Sequence, residues 1–559
     1  MFNCSFLCIQ TVYDCVDALW LLLNGCGVGF APKIGTLNGF SSVIKDIEFV
    51  ESTNDPSFRG NPDNVEEVKD GVWTIKIGDS AEAWARAVGK LLAGKHRVDK
   101  LVIDTTEIRG PGERLKGYGW ICAGDVPLVR ALGGITTLLN RRAGSLLTRI
   151  DILDLVNWLG TILSTRRSAE IALFSVDEPE WQEFAVAKRE FWNGNEQRAQ
   201  SNNSLLFNSK PSHQQLTDIF NLMAESGGSE PGFINGAAAR ERAPWFYGVN
   251  PCAEILLGDK SFCNLTEIDI GKFKGDSAGL ERAHYVVARA NYRQTCVDLN
   301  DGVLQEAWHL NNAFLRLCGV GHTGIVKRDD LSRYDLQYLQ RIATSAAFSM
   351  ADELDLPRPK NITTVKPSGT LSKIMDTTEG IHKPLGKYIL NNVNFSKHDP
   401  LLGQLRAAGY RVFDNPSDPE AVLVTFPVAY EDVHFEVVNG IEVNLESAIV
   451  QLERYKKYQQ NWTQQNTSVT ISYDLDEVEG IISWLLTNWD VYVGVSFIYR
   501  NDPTKTAADL GYEYLPQEVV TKEVYESFLS VIKEVDLDSA NTFEELIEDE
   551  CATGMCPIK

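Results

Sequence analysis

Asn250-Pro251-Cys252-Ala253-Glu254, with Cys263 eleven positions after the first thiol, is the stretch on which the reading of this chain turns. An amide, a thiol and a carboxylate fall within five residues, and Pro251 stiffens the backbone between them by fixing φ. In an extended loop Cys252 and Glu254, two residues apart, project in the same general direction. A carboxylate there can act as general base on a hydroxyl next to an atom attacked by the sulfur. Asn250 brings a donor and an acceptor for the same hydroxyl. Taken alone, the pattern reads equally well as a buried cysteine beside a solvent-facing glutamate at a turn.

Working outward, Cys263 gains meaning beside Cys4. Both lie in strand-like sequence, Phe2-Asn3-Cys4-Ser5-Phe6 and Ser261-Phe262-Cys263-Asn264-Leu265, which neighbouring strands could juxtapose. The alternative is two unrelated buried thiols. A second dithiol, Cys551 and Cys556, closes the chain in Gly-containing polar sequence after an acidic run, where burial has little to recommend it. With two ligands and no histidine nearby, a redox shuttle is favoured over a metal clip. Cys8, Cys15, Cys26, Cys122, Cys296 and Cys318 sit in apolar contexts and read as small buried hydrophobes. Zinc is disfavoured and no metal site is expected: there is no C-x-x-C, and none of the 8 histidines falls in H-E-x-x-H or a finger spacing.

Two further stretches are candidates for anion binding. Val365-Lys366-Pro367-Ser368-Gly369-Thr370-Leu371-Ser372 offers backbone donors, hydroxyls and a lysine leading toward a helix. Ser368, Gly369 and Thr370 could cradle phosphate there, although the sequence is no Walker A. Arg166 and Arg167, between a helix and a strand, are a solvated surface or a contact to nucleotide phosphate or base.

The 559 residues, 44% apolar and 23% charged, describe a soluble globular protein with an ample core. A net charge of −23 argues against duplex nucleic acid as partner while leaving small nucleotides open. No apolar stretch approaches a membrane span, and Met1-Phe2-Asn3-Cys4 lacks a secretory signal. An odd thiol count fits a reducing compartment, so the cytoplasm is expected.

Alternation at Phe2, Cys4 and Phe6 predicts a strand, and helix–strand order then recurs: Val12 to Leu23 before Gly27–Phe30, Ala81–Ala93 before Lys100–Asp104, Ile152–Thr165 before Ile171–Phe174. That order implies parallel strands with covering helices. Ser52 to Glu66 and Asn193 to Ser212 read as insertions or loops. From Val535 on, Glu544, Glu545, Glu548, Asp549 and Glu550 lead to Cys551, a solvated acidic tether. The expected organisation is one catalytic domain, 1–534, and a flexible acidic tail with its redox dithiol, 535–559.

Together these stretches resemble the catalytic chain of ribonucleotide reductases, most closely the monomeric adenosylcobalamin-dependent ribonucleoside-triphosphate reductases. Phe2–Phe6, Gly27–Phe30, Gly112–Leu115, Ile150–Trp158, Arg166–Phe174, Ser201–Ser204, Asn250–Leu257, Ser261–Leu265, Lys366–Ser372, Glu379–His382 and the terminal C-x4-C follow in family order. The resemblance implies a ten-stranded α/β barrel of two five-stranded half-sheets with the Cys252 loop as a central finger. It implies a thiyl radical on Cys252 that removes the 3′-hydrogen of a ribonucleoside triphosphate. Glu254 would take the 3′-hydroxyl proton, Asn250 would hold that hydroxyl, and Cys4 and Cys263 would be oxidised to a disulfide. Cys551 and Cys556 would reduce that disulfide and be restored by thioredoxin. Ser368, Gly369 and Thr370 would hold substrate phosphates, and Arg166 and Arg167 would lie on the loop linking a dNTP effector to substrate choice.

Adenosylcobalamin is the implied radical source. An oxygen-dependent catalytic chain served by a separate radical-generating metal subunit is the alternative, but it calls for adjacent tyrosines, and Tyr512 and Tyr514 are separated by Glu513. The glycyl-radical context of anaerobic relatives is absent. A third reading, an inactive nucleotide-binding remnant or half of a split reductase, leaves the five cysteines without purpose. Relatives carry a helical segment ahead of the first strand, and this chain opens two residues before Asn3. A missing N-terminal fragment, a split gene or a minimal enzyme would each account for that.

Overall fold

The computed structural model describes residues 2–115, 121–163, 170–297, 302–416 and 418–535. Its centre is a ring of ten strands: β1 Cys4–Ile9, β2 Gly27–Pro32, β3 Glu170–Ser175, β4 Ser201–Phe207, β5 Gly232–Asn235, β6 Ser261–Asp269, β7 Cys318–Thr323, β8 Thr363–Thr364, β9 Thr470–Tyr473 and β10 Gly494–Tyr499. The hydrogen-bonded order is β8-β7-β6-β1-β2-β3-β4-β5-β10-β9. Strands β1 to β5 pair in parallel, and so do β6 to β8 and β9 with β10. The two halves join antiparallel at β1–β6 and β5–β10. A parallel bridge from Val365 to Thr467, just beyond β8 and just before β9, completes the second parallel half and closes the ring. This is the ten-stranded barrel of two five-stranded half-sheets that the sequence led us to expect.

Strands in such a ring are covered on both sides, so they read as continuous apolar runs rather than alternations. β1, β2 and β7 are buried at every position. The outer layer packs against helices such as Val12–Leu23, whose Thr11 and Asp14 form a capping box, and Ser277–Gln294. A smaller apolar cluster, including Phe6, Ile171, Leu173, Ile234 and Val493, fills the lumen.

Two sheets lie outside the ring. Between β2 and β3 the chain builds a four-stranded sheet from Asp46–Val50, Lys100–Asp104, Val72–Lys76 and Val65–Lys69, covered by the helix Ala81–Ala93. The strand expected at Lys100–Asp104 therefore belongs to this insertion and not to the barrel. After β8, an antiparallel sheet forms from Tyr388–Ser396, Val412–Asp414, Ala421–Ala429 and Gln517–Val519.

Two expectations need correction. Asn193 to Ser212 is not a loop throughout, because β4 lies within it. Its Ser201, Asn203 and Ser204 are buried, and Ser201 and Asn203 are hydrogen-bonded there, so a strand with a polar row looked like a turn. Cys296 is exposed, just past the end of the helix Ser277–Gln294. The other five cysteines read as buried are buried.

Candidate active site

The hairpin that carries Cys252 is made from Gly248–Val249 paired antiparallel with Leu256–Leu257. It runs against the inner wall of the barrel, and two glycines make the approach possible. A Cβ on Gly29 of β2 would sit 1.9 Å from the Val249 carbonyl oxygen, and one on Gly248 would sit 2.1 Å from the Phe6 ring. At the tip, the Ala253 N–H donates to the Asn250 carbonyl at 2.7 Å. Ala253 itself has a φ of 59°, the left-handed region uncommon for a residue with a Cβ. The surrounding strands hold the tip through its carbonyls. Asn202 Nδ2 donates to Pro251 O at 3.3 Å, Asn466 Nδ2 to Ala253 O at 2.7 Å, and Thr364 Oγ1 and the Asn466 N–H to Glu254 O at 3.0 Å each.

Cys4 and Cys263 stand directly opposite one another in the antiparallel β1–β6 ladder. Directly opposed residues have Cα atoms about 4.5–5.5 Å apart, inside the roughly 4.4–6.8 Å span of disulfides. Both are thiols here, and burial lifts both well above the usual thiol range. For Cys4 the Glu254 carboxylate and the thiols of Cys26, Cys252 and Cys263 add to the effect; for Cys263, Cys318 and Glu254 do. Each sulfur therefore keeps its hydrogen at neutral pH. Asn250 Nδ2 donates to Cys4 Sγ at 3.0 Å, while Asn250 Oδ1 accepts from the Ile255 N–H at 2.8 Å. Cys252 is partly exposed, unlike its four buried companions Asn250, Glu254, Cys4 and Cys263.

Burial, helped by nearby Glu267 and opposed by Asn250 and Lys366, pushes the Glu254 carboxyl up to about 7. Its Oε2 is buried without a hydrogen-bond partner. Lys366 Nζ lies 3.5 Å from Glu267 Oε2, so the carboxylate pair shares one nearby cation. Lys366 leads into the expected phosphate turn. Ser368 has a φ of 60°, space is open around Gly369, and a short helix Leu371–Ile374 follows. The N–H groups of Ser372 and Lys373 are already used, donating to Ser368 O and Thr370 O at 3.1 Å each, whereas the Ser372 hydroxyl is buried without a partner. A cavity of about 370 Å³ opens beside Pro367 and Val469, two residues along from the bridge that closes the ring.

Comparison with known proteins agrees with this geometry. A family model described as "B12-dependent ribonucleotide reductase, insertion domain" matches residues 51–139. Adenosylcobalamin-dependent ribonucleoside-triphosphate reductases from Lactobacillus gasseri, Lactobacillus helveticus and Lactobacillus leichmannii are 25%, 27% and 26% identical to it, each over 96% of this chain and 79% of their own length. A crystal structure of a B-12 dependent (class II) ribonucleotide reductase has the same fold, with a TM-score of 0.74 at 22% identity over 98% of this chain and 84% of that one. In sequence and in fold this chain is similar to these reductases.

In this reductase-like barrel, Asn250, Cys252, Glu254, Cys4 and Cys263 come together at the finger and the strand joint beside it. The Ser368 turn is reached through Lys366. Arg166, Arg167, Cys551 and Cys556 lie outside the described residues. Next to 164–169, a cavity of about 160 Å³ is lined by Leu163 and by Trp84 and Arg109 of the insertion. Sequence reading missed Glu267, Thr364, Asn466 and Gln465, whose Oε1 accepts from the Leu256 N–H of the finger hairpin at 2.9 Å. The available signal was Thr463-Gln464-Gln465-Asn466-Thr467, a polar run that is almost wholly buried. Among the described residues, no helix is long and apolar enough to cross a membrane.

Proposed function

We propose that this chain reduces ribonucleoside triphosphates to 2′-deoxyribonucleoside triphosphates through a thiyl radical on Cys252. The observation that carries the reading is the meeting of one finger-loop thiol, a carboxyl of near-neutral pKa and a cross-strand dithiol inside one closed barrel. Cys252 removes the 3′-hydrogen atom. Glu254, poised near 7, accepts the 3′-hydroxyl proton, as a general base matched to the working pH should. Asn250 gives up its bond to Cys4 and orients that hydroxyl. The 2′-hydroxyl leaves as water, Cys4 and Cys263 supply two electrons and two protons and join as a disulfide, and Cys252 recovers its hydrogen. The balance is triphosphate plus two thiols to deoxytriphosphate, disulfide and water.

Adenosylcobalamin, when bound, supplies the one-electron oxidising equivalent that starts the radical chemistry. The cavity beside Pro367, too small for the whole group, offers apolar and amide contacts to part of it: half-exposed Leu385 and Ile498 line it beside Asn444, Gln451 and Arg454, and the Glu446 Oε2 there is buried without a partner. These residues would hold that group. Substrate phosphates take the Ser368-Gly369-Thr370 turn, where the orphaned Ser372 hydroxyl supports an anion. A dNTP effector is linked to substrate choice by Arg166 and Arg167, and Trp84 and Arg109, the latter also paired with Asp79 and Glu113, contribute one side of its site from the small cavity that Leu163 lines. Cys551 and Cys556 return the Cys4–Cys263 disulfide to thiols and are restored by thioredoxin in the cytoplasm.

Incubation with CTP or ATP, dithiothreitol and adenosylcobalamin tests the reading. Deoxynucleotide is expected; its absence, or its appearance only after a metal-bearing subunit is added, overturns it.

A further inference from the structure

We infer that Asn466 is a positioning residue that sets the finger tip, and through it the placing of Cys252 and Glu254; this rests on the function proposed above. Asn466 is fully buried and every polar atom of its side chain is used. Its Nδ2 donates to Ala253 O at 2.7 Å and to Gly494 O at 3.3 Å. Its Oδ1 accepts from the Tyr455 hydroxyl at 2.9 Å and from the Gly494 N–H at 3.2 Å. With two carbonyls on one side and two donors on the other, the amide fits in one orientation only. Its own N–H holds Glu254 O at 3.0 Å.

Ala253 and Glu254 are thus gripped by one residue on either side of the peptide bond that joins them. The grip falls where the backbone pays for a left-handed turn at a residue with a Cβ. Tyr455 fixes the clamp from behind. Its hydroxyl also accepts from the Val493 N–H at 2.9 Å, which ties the clamp to the segment entering β10. Gly494 permits the close approach, because a Cβ there would lie 2.9 Å from Asn466 Nδ2. Sequence alone would rank Asn466 with loop asparagines.

The test compares Asn466→Asp, Asn466→Leu and Tyr455→Phe with the full wild-type chain. Asn466→Asp is nearly isosteric, but turns a carboxylate toward two carbonyl oxygens. Displacing reacting groups by about 1 Å costs roughly 10²-fold in rate. The expected result is a kcat lower by about that factor in Asn466→Asp, with KM for the triphosphate within about twofold of wild type, and a smaller loss in Tyr455→Phe. A readout independent of turnover is the alkylation rate of Cys252 by iodoacetamide in substrate-free protein, followed by mass spectrometry, with exposed Cys296 as internal reference. We expect the Cys252 rate to change by about fivefold or more relative to Cys296 in both Asn466 variants. If the variants only melt earlier, with Cys252 reactivity and kcat at wild-type values, the positioning role is overturned. If wild type makes no deoxynucleotide yet the Cys252 rate still moves, the clamp stands and the proposed reaction falls.

Discussion

Glu254 carries two opposed demands at the scale of the single residue. The proposed reaction needs a base that loses its proton near neutrality, and the fold buries Glu254 where the charge is unwelcome. A carboxyl whose folded pKa lies above its unfolded value weakens the fold when ionised. That penalty is absent below the unfolded value of 4.5, grows as pH rises, and is complete above about 7. Glu254→Gln should therefore be more stable than wild type at pH 8, by up to about 3 kcal/mol, and the two melting curves should converge by about pH 4.5. The same group should give wild-type kcat/KM an acid limb near pH 7 that Glu254→Gln lacks in whatever activity remains. Cys252→Ala should abolish turnover and leave triphosphate binding, measured by equilibrium dialysis, at wild-type affinity. Cys252 and Glu254 were legible because their spacing is local. That Glu254 shares Lys366 with Glu267 was not, since 99 residues separate that ion pair.

Among elements, the antiparallel joint of β1 and β6 brings together the two thiols that the proposed reaction oxidises. Strands of one parallel half carry their side chains past one another in a single direction, whereas this joint sets Cys4 face to face with Cys263. With Cys551 and Cys556 both changed to Ser and no external reductant, about one deoxynucleotide per chain should form and two thiols should vanish. Cys4→Ser in that background should form none. The finger hairpin depends on missing side chains. Gly29→Ala drives a Cβ into the Val249 carbonyl, and should cost about 1–3 kcal/mol in urea denaturation as well as slowing turnover. Apolar strands such as β1 and β2 could be read from sequence because both of their faces are covered. β4 could not, because its Ser and Asn residues turn inward onto buried partners, and inward polarity looks like a loop until the ring is closed.

Over the whole molecule, the insertion after β2 contributes Trp84 and Arg109 to a cavity that Leu163 also lines. Trp84→Ala and Arg109→Ala should each weaken dNTP effector binding several-fold in a filter-binding titration, through loss of ring contact and of charge. At the far end, replacing Cys551 or Cys556 should spare dithiothreitol-driven turnover and lose the thioredoxin-driven kind; equal loss with both reductants would remove the shuttle from the scheme. What could be read without coordinates was a thiol, a carboxylate and an amide within one short loop, a local pattern that became a specific chemistry only through its resemblance to a known family. The amino-acid sequence by itself also determined helix-covered parallel strands, since hydrophobic runs and their spacing are local. Only the tertiary structure decided that Cys4 opposes Cys263, that the ring closes between Val365 and Thr467, and that a buried Asn466 grips the finger. Those are contacts between residues a hundred or more positions apart, and it is the register of distant strands, which no local pattern encodes, that brings them together.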